Sequence, residues 1–317
     1  MVFIFLKLCY NNIEVIGVKD YFNIINEQYG IRHTEKQKED FRKFVINEVS
    51  DLSKYNAKVE CLKSKHNNII VGDLEKANFV FTAHYDTPYR CLWPNFIMPR
   101  RKVVSVLYHL AFPIAIALFS LLLAFCFNLI ISGGTFSFVF MYLLIYFIFI
   151  VFAFQLVINK NNKNDNTSGV LCLFSLIEKL KDKENVCFVF FDNEEKGLLG
   201  SKEFFKKHKK EINDKLIINF DCIGEGKNIL LIHKNSNEYE EILKSNIKSS
   251  GEFKVLHYPL KGSFGNSDYK SFKKSVGVMT CNDSKYGLYT SKIHTDKDVC
   301  LDKENIDFIV NEFSRIC

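Results

Sequence analysis

Tryptophan occurs once in this 317-residue sequence, and a C-x-x-C cysteine pair or a long block of like charge does not occur at all. Each absence excludes something. The ten cysteines, Cys9, Cys61, Cys91, Cys126, Cys172, Cys187, Cys222, Cys281, Cys300 and Cys317, are scattered, so there is no zinc-ribbon or dithiol redox motif. They read as reduced, mostly buried thiols of a reducing compartment. The 42 basic residues are interspersed among 36 acidic ones for a net charge of +6, which gives nucleic acid no obvious place as a partner. The apolar start, Met1 to Leu6, has no small-residue cleavage site after it and is interrupted by Lys7, so it reads as mature chain and not as a signal peptide. The largest absence is internal: between Val103 and Asn159 there is no Asp, Glu, Lys or Arg.

That uncharged stretch divides at Gly133-Gly134 into 103–132 and 135–158, each longer than the ~20 apolar residues a helix needs to cross a bilayer. Neither half shows the polar stripe of a surface helix packed on a core. The expectation is a transmembrane helical hairpin, 103–158, in which Pro113 is tolerated. Arg100, Arg101 and Lys102 precede it, Lys160 and Lys163 follow it, and its turn is uncharged, so both flanks are expected in the cytoplasm of a cell-membrane protein. Trp93 stands where an interfacial residue would.

With 48% hydrophobic residues, the chain is expected to fold, and outside the hairpin apolar runs alternate with amphipathic ones. Strands are expected at 59–62, 68–71, 79–83, 186–191, 216–220, 229–233, 253–257 and 276–280. Helices are expected at 34–49, 168–180, 202–208, 237–249 and 303–315, the second capped by Asn166 or Ser168. The fold class is α/β, a mostly parallel mixed sheet flanked by helices. One domain is made from 1–102 and 159–317.

Several strand ends carry polar residues suited to metal chemistry. His84 and Asp86 are two apart after a buried strand and point the same way, so the carboxylate can orient the ring. Asp165 lies in Asn164-Asp165-Asn166-Thr167-Ser168-Gly169 at a helix start, where a carboxylate can bridge cations or merely cap. Glu194 and Glu195 follow the strand 186–191; one can ligate while the other moves protons. Asp221 ends 216–220, and His294 lies in Ile293-His294-Thr295-Asp296-Lys297-Asp298. Taken singly, each also suits an ordinary strand end, cap or turn. Together they offer one imidazole and one carboxylate per metal plus one carboxylate to bridge, which suits two zinc ions ~3.5 to 4 Å apart.

In that order these segments resemble the co-catalytic zinc aminopeptidase family, which includes bacterial leucyl aminopeptidase and the Streptomyces-type aminopeptidase. The resemblance covers about Lys58 to the C-terminus and implies the three-layer zinc-exopeptidase fold. It implies that His84 and Asp221 hold one metal, Glu195 and His294 the other, that Asp165 bridges, that Asp86 orients His84, and that Glu194 is the general base. It further implies that a metal-held water hydrolyses N-terminal residues from peptides with a free amino group. The hairpin, inserted between the first two motifs, departs from the family and is expected to anchor the chain in the lipid bilayer without supplying ligands. At 265–269 the family usually has S-D-H, and here Tyr269 stands for the histidine. Tyr286 and Tyr289 are candidates for lining the substrate pocket. A glutaminyl-cyclase-like or other amide-processing zinc enzyme, and a non-catalytic membrane scaffold, are the competing readings.

Overall fold

A computed structural model describes residues 21–317 apart from 64, 94, 132, 155, 156 and 236. The reading of Met1 to Leu6 as mature chain lies outside the described residues. Eight strands form one mixed sheet: β1 (Ala57–Cys61), β2 (Asn67–Gly72), β3 (Phe79–His84), β4 (Val186–Phe191), β5 (Leu216–Phe220), β6 (Asn228–Lys234), β7 (Lys254–Pro259) and β8 (Ser275–Cys281). Their order is β1-β2-β4-β3-β5-β8-β6-β7. The central pairs β4–β3, β3–β5 and β5–β8 are parallel, as is β6–β7, while β1–β2, β2–β4 and β6–β8 are antiparallel.

The central strands are buried on both faces, which is why they read as unbroken apolar runs. Phe79, Phe81 and Ala83 point into one core and Val80 into the other; Val186, Phe188 and Phe190 likewise oppose Cys187, Val189 and Phe191. The first core is closed by α1 (Tyr21–Gln28), α2 (Glu35–Leu52), α5 (Ser168–Lys179), α7 (Asn237–Asn246) and α8 (Lys303–Phe313), and the second by α6 (Leu199–Ile212). This is the three-layer α/β arrangement. Thr34 caps α2 in a capping box with Gln37, accepting its N–H while the Gln37 side chain accepts the Thr34 N–H at 2.9 Å. Helix α1 was not expected from the sequence, and α6 is longer than the expected 202–208 at both ends. Of the two expected caps of α5, Asn166 does the work: its Oδ1 accepts the Gly169 N–H at 3.0 Å.

The inserted segment is an antiparallel pair, α3 (Lys102–Ile131) and α4 (Thr135–Phe154), long and apolar enough to cross a membrane and exposed over nearly all its length. At ~1.5 Å per residue the 20 residues of α4 reach ~30 Å. The second helix is described to Phe154 and does not reach the expected 158, because 157–159 are paired elsewhere. The Arg90 N–H donates to the Val157 carbonyl at 2.7 Å and the Asn159 N–H to that of Pro88 at 3.1 Å. Residues so paired cannot continue a helix, and the pairing sets 157–159 against 88–90, the segment that follows the strand ending in His84.

Candidate metal centre

Parallel strands of an open sheet bring their C-terminal ends to one edge, and loops there converge. β3 ends in His84, β4 runs into Glu194 and Glu195, and β5 into Asp221. The turn Lys163–Thr167 before α5 brings in Asp165, and the loop after β8 brings in His294. All five expected metal residues meet. His84 Nε2 lies 3.2 Å from Asp165 Oδ1 and 3.8 Å from Asp221 Oδ1, while His294 Nε2 lies 3.0 Å from Asp165 Oδ2 and 3.4 Å from Glu195 Oε2. Asp165 therefore presents one oxygen to each imidazole. Two triads that could each hold a cation share it: His84–Asp165–Asp221 and Asp165–Glu195–His294. A third, His84–Glu194–Glu195, includes the expected base.

Zinc fits this donor set. The ligands are imidazole and carboxylate, and the buried atoms His84 Nε2, Glu195 Oε1 and Asp221 Oδ1 have no hydrogen-bond partner. Buried polar atoms are rarely left so, and here the three point toward the same small volume. The electrostatics agree. Burial, opposed by His294, pushes Glu195 up to about 8, and burial together with the charges of Glu195, Asp268 and Asp221 raises Glu194 well above the usual carboxylate range. Burial would lower His84 and His294, but the surrounding carboxylates, Glu194 foremost for the one and Glu195 for the other, outweigh it and raise both. So many carboxylates sharing one dry site favour any added positive charge.

The supports are as specific as the ligands. Asp86 accepts the Glu194 N–H at 3.0 Å and the Glu195 N–H at 3.2 Å, one per oxygen, and its Oδ1 is 3.6 Å from His84 Nδ1. It thus holds the imidazole and both glutamates together. Asp298 does the same for the loop of Asp165, accepting the Asn164 N–H at 2.8 Å and the Asp165 N–H at 3.1 Å. Fully buried Arg32 ties the two loops, donating from Nε to the Tyr85 carbonyl and from Nη2 to Thr167 Oγ1 at 3.1 Å. Buried Lys38 pairs with Asp192 at 2.7 Å, fixing the start of the glutamate loop.

Residues 159–308 match the model of peptidase family M28. The matched stretch is just under half of the chain. His84 and β1–β3 precede the matched range but complete its sheet and site. A curated relative, the vacuolar membrane protease of Vanderwaltozyma polyspora, is 27% identical over 133 residues, 40% of this chain; the chain spans only 12% of that protein's length. Among solved structures the LapA aminopeptidase of Legionella pneumophila is similar, with TM-score 0.56 and 12% identity over 92% of this chain and 65% of that one. The glutaminyl cyclase of Porphyromonas gingivalis is similar as well, with TM-score 0.55 and 14% identity over 93% of this chain and 94% of that one. Both likenesses are of fold, and the family match over 159–308 supports a metallopeptidase.

Neither of the two tyrosines named as pocket candidates lines the cavity at the metal centre. Tyr286 is exposed and Tyr289 stacks on Phe96 at 5.6 Å. Tyr269, in the place of the family histidine, does line it, and a Cβ on Gly277 would come within 2.6 Å of its ring, so β8 needs glycine there. The sequence reading missed Asp298, Arg32 and Lys38. Asp298 was visible as a carboxylate four residues after His294, whereas the two buried cations carried no local signal.

Proposed function

We propose that this chain is a membrane-anchored two-zinc aminopeptidase, removing N-terminal residues from peptides with a free amino group. The observation that carries the reading is Asp165, whose two oxygens each lie close to a different imidazole, the arrangement a bridging ligand requires. In this reading His84 and Asp221 hold one zinc, Glu195 and His294 the other, and Asp165 both. Bound zinc would supply Lewis acidity to the scissile carbonyl. Glu194, in the same cavity, takes the proton of the attacking water on its carboxylate and delivers it to the leaving amine. Burial among other carboxylates, which favours its protonated form, suits a group that must carry that proton. The surplus of carboxylate over imidazole attracts the positive N-terminus of a peptide, which selects exopeptidase over endopeptidase cleavage.

Support for the anchor comes from α3 and α4 and from the curated relative, a membrane protease. The flanking Arg100, Arg101, Lys102, Lys160 and Lys163 favour a cytoplasmic catalytic domain. The test of the chemistry is Glu194→Gln in zinc-loaded protein. Turnover of aminoacyl amides should fall ~10²- to 10⁴-fold while zinc content stays at the parent's. Loss of zinc would make Glu194 a ligand, as the third triad allows. Asp165→Asn should lower the occupancy of both positions together; loss of one zinc only would remove it as the bridge.

A further inference from the structure

The cavity at the metal centre, about 590 Å³, lies within the ~300–1,000 Å³ of small-ligand sites. One of its walls does not come from the sheet. Lys102 and His109 of α3 line it, with Asn95 and Ile97 from the segment before. That wall is rigid. Ser105 Oγ accepts the Met98 N–H at 2.8 Å and donates to the Met98 carbonyl at 3.1 Å. His109 Nδ1 is 2.7 Å from the Ser105 carbonyl, its Nε2 2.8 Å from Asn95 Oδ1, and its ring packs on Phe264 at 5.4 Å. Trp93 stacks on Phe112 at 5.0 Å one turn further along. The first three turns of the hairpin are thus part of the catalytic domain.

The wall carries charge opposite to that of the metal centre. Apart from Asp165, Glu194, Glu195, Asp221 and His294, the ionisable cations lining the cavity are Lys102 and Lys270, with His109 already bonded at both nitrogens. Among the described residues no carboxylate pairs with either lysine, and burial and the charges of Lys102 and Lys234 lower Lys270. Lys270 donates to the Gly265 carbonyl, which leaves two of its three N–H donors for another acceptor. A half-buried ammonium group beside an exposed one, here Lys270 beside Lys102, is best matched by an anion that the ligand brings.

We infer that the substrate supplies a carboxylate to Lys102 and Lys270 while its amino end lies at the metal centre, so the cleft takes short peptides. The carboxylate is either the C-terminal one or an acidic side chain just after the first residue. This rests on the peptidase reading above. It also makes α3 a specificity element, with Lys102 contributed by the membrane hairpin.

The test compares leucyl-alanine, leucyl-alanine amide and leucyl-aspartic acid diamide on the full chain in nanodiscs. The parent should prefer the free acid to the amide by roughly tenfold or more in kcat/KM, the usual worth of a charge-assisted contact. In Lys102→Met/Lys270→Met that ratio should fall close to one, and Lys102→Arg/Lys270→Arg should restore it. Cleavage of the aspartyl diamide at the rate of the free acid assigns the side-chain source; cleavage at the rate of the amide assigns the C-terminal one. The inference is overturned by a parent that cleaves neither the free acid nor the aspartyl diamide faster than the alanine amide, or by a preference that survives in the double methionine variant. It is equally overturned if that variant keeps the ratio and loses only its binding to phosphatidylserine vesicles, which would give the lysines to the lipid surface. If the double variant does not fold, the single variants give the same readout. Calorimetric binding of acid and amide to the Glu194→Gln protein separates the two readings. A protein that binds the acid in preference to the amide but cleaves neither would refute the peptidase and keep the carboxylate site.

Discussion

At the scale of single residues, the site depends on carboxylates that touch no substrate. Asp298 fixes the backbone of Asn164 and Asp165 with one oxygen on each N–H, and it is pushed up to about 7 by burial and by the charge of Asp165 beside it. Asp298→Ala should therefore loosen the bridging residue without removing a ligand, costing ~10- to 100-fold in zinc affinity, as measured by competition with a chromophoric chelator. An unchanged affinity would make Asp298 merely a loop residue. Away from the site, His233 and His257 stack at 5.1 Å with Nε2 of the one 2.9 Å from Nδ1 of the other, and burial first, then His257, pushes His233 down to about 4. The unfolded chain takes up a proton at this position as pH falls below 6.5, and the folded chain not until about 4. Stability should hence fall as pH drops through that window, by up to ~1.4 kcal/mol per unit from His233. Urea midpoints at acid and neutral pH should show a smaller acid loss in His233→Gln than in the parent.

At the scale of elements, what the sequence made legible follows from where burial is symmetrical. β3, β4 and β5 are buried on both faces and end in polar residues, so both the strands and His84, Glu194, Glu195 and Asp221 could be read from local pattern. Helix α1 could not, because only Tyr21 and Ile25 are buried on it. Lys38 and Arg32 look like solvated charges until Asp192 and Thr167, far away in sequence, are brought beside them. The hairpin shows the same limit: its apolar length was plain, but nothing local revealed that Ser105 and His109 fasten its first turns to the domain. Excision should accordingly depend on where it begins. Replacing 114–153 by a Gly/Ser linker keeps those turns and should give a soluble protein that binds zinc and cleaves aminoacyl amides. Replacing 103–158 also removes the strand-like pairing of 157 and 158 with 90 and 89, and should lower the thermal midpoint and the zinc occupancy. Equal behaviour of the two deletions would mean that the hairpin is only an anchor.

At the scale of the whole molecule, an antiparallel helix pair returns the chain to the side it left, so β1–β3 and residues 159–317 must share one side of any membrane the hairpin crosses. The cleft must also lie at that surface, since Lys102 and His109 belong both to its wall and to the first turns of α3. Substrates would then be met close to the headgroups of whichever leaflet faces the domain. Which side this is can be read by thiol labelling. Gly134 has open space around its Cα, so a cysteine there is tolerated, whereas one at Gly133 would crowd Asn128 and Ser137. Lys160 is exposed at the other end of the hairpin. With Cys9, Cys61, Cys91, Cys126, Cys300 and Cys317 replaced, the remaining cysteines are Cys172, Cys187, Cys222 and Cys281, all buried and unreactive in the folded chain. In intact cells an impermeant maleimide should label Gly134→Cys and spare Lys160→Cys, and permeabilisation should expose the second. Labelling of Lys160→Cys alone in intact cells would put the catalytic domain outside, where the basic flanks would have failed as orientation signals and the lysine pair in the cleft would meet extracellular peptides instead of cytoplasmic ones.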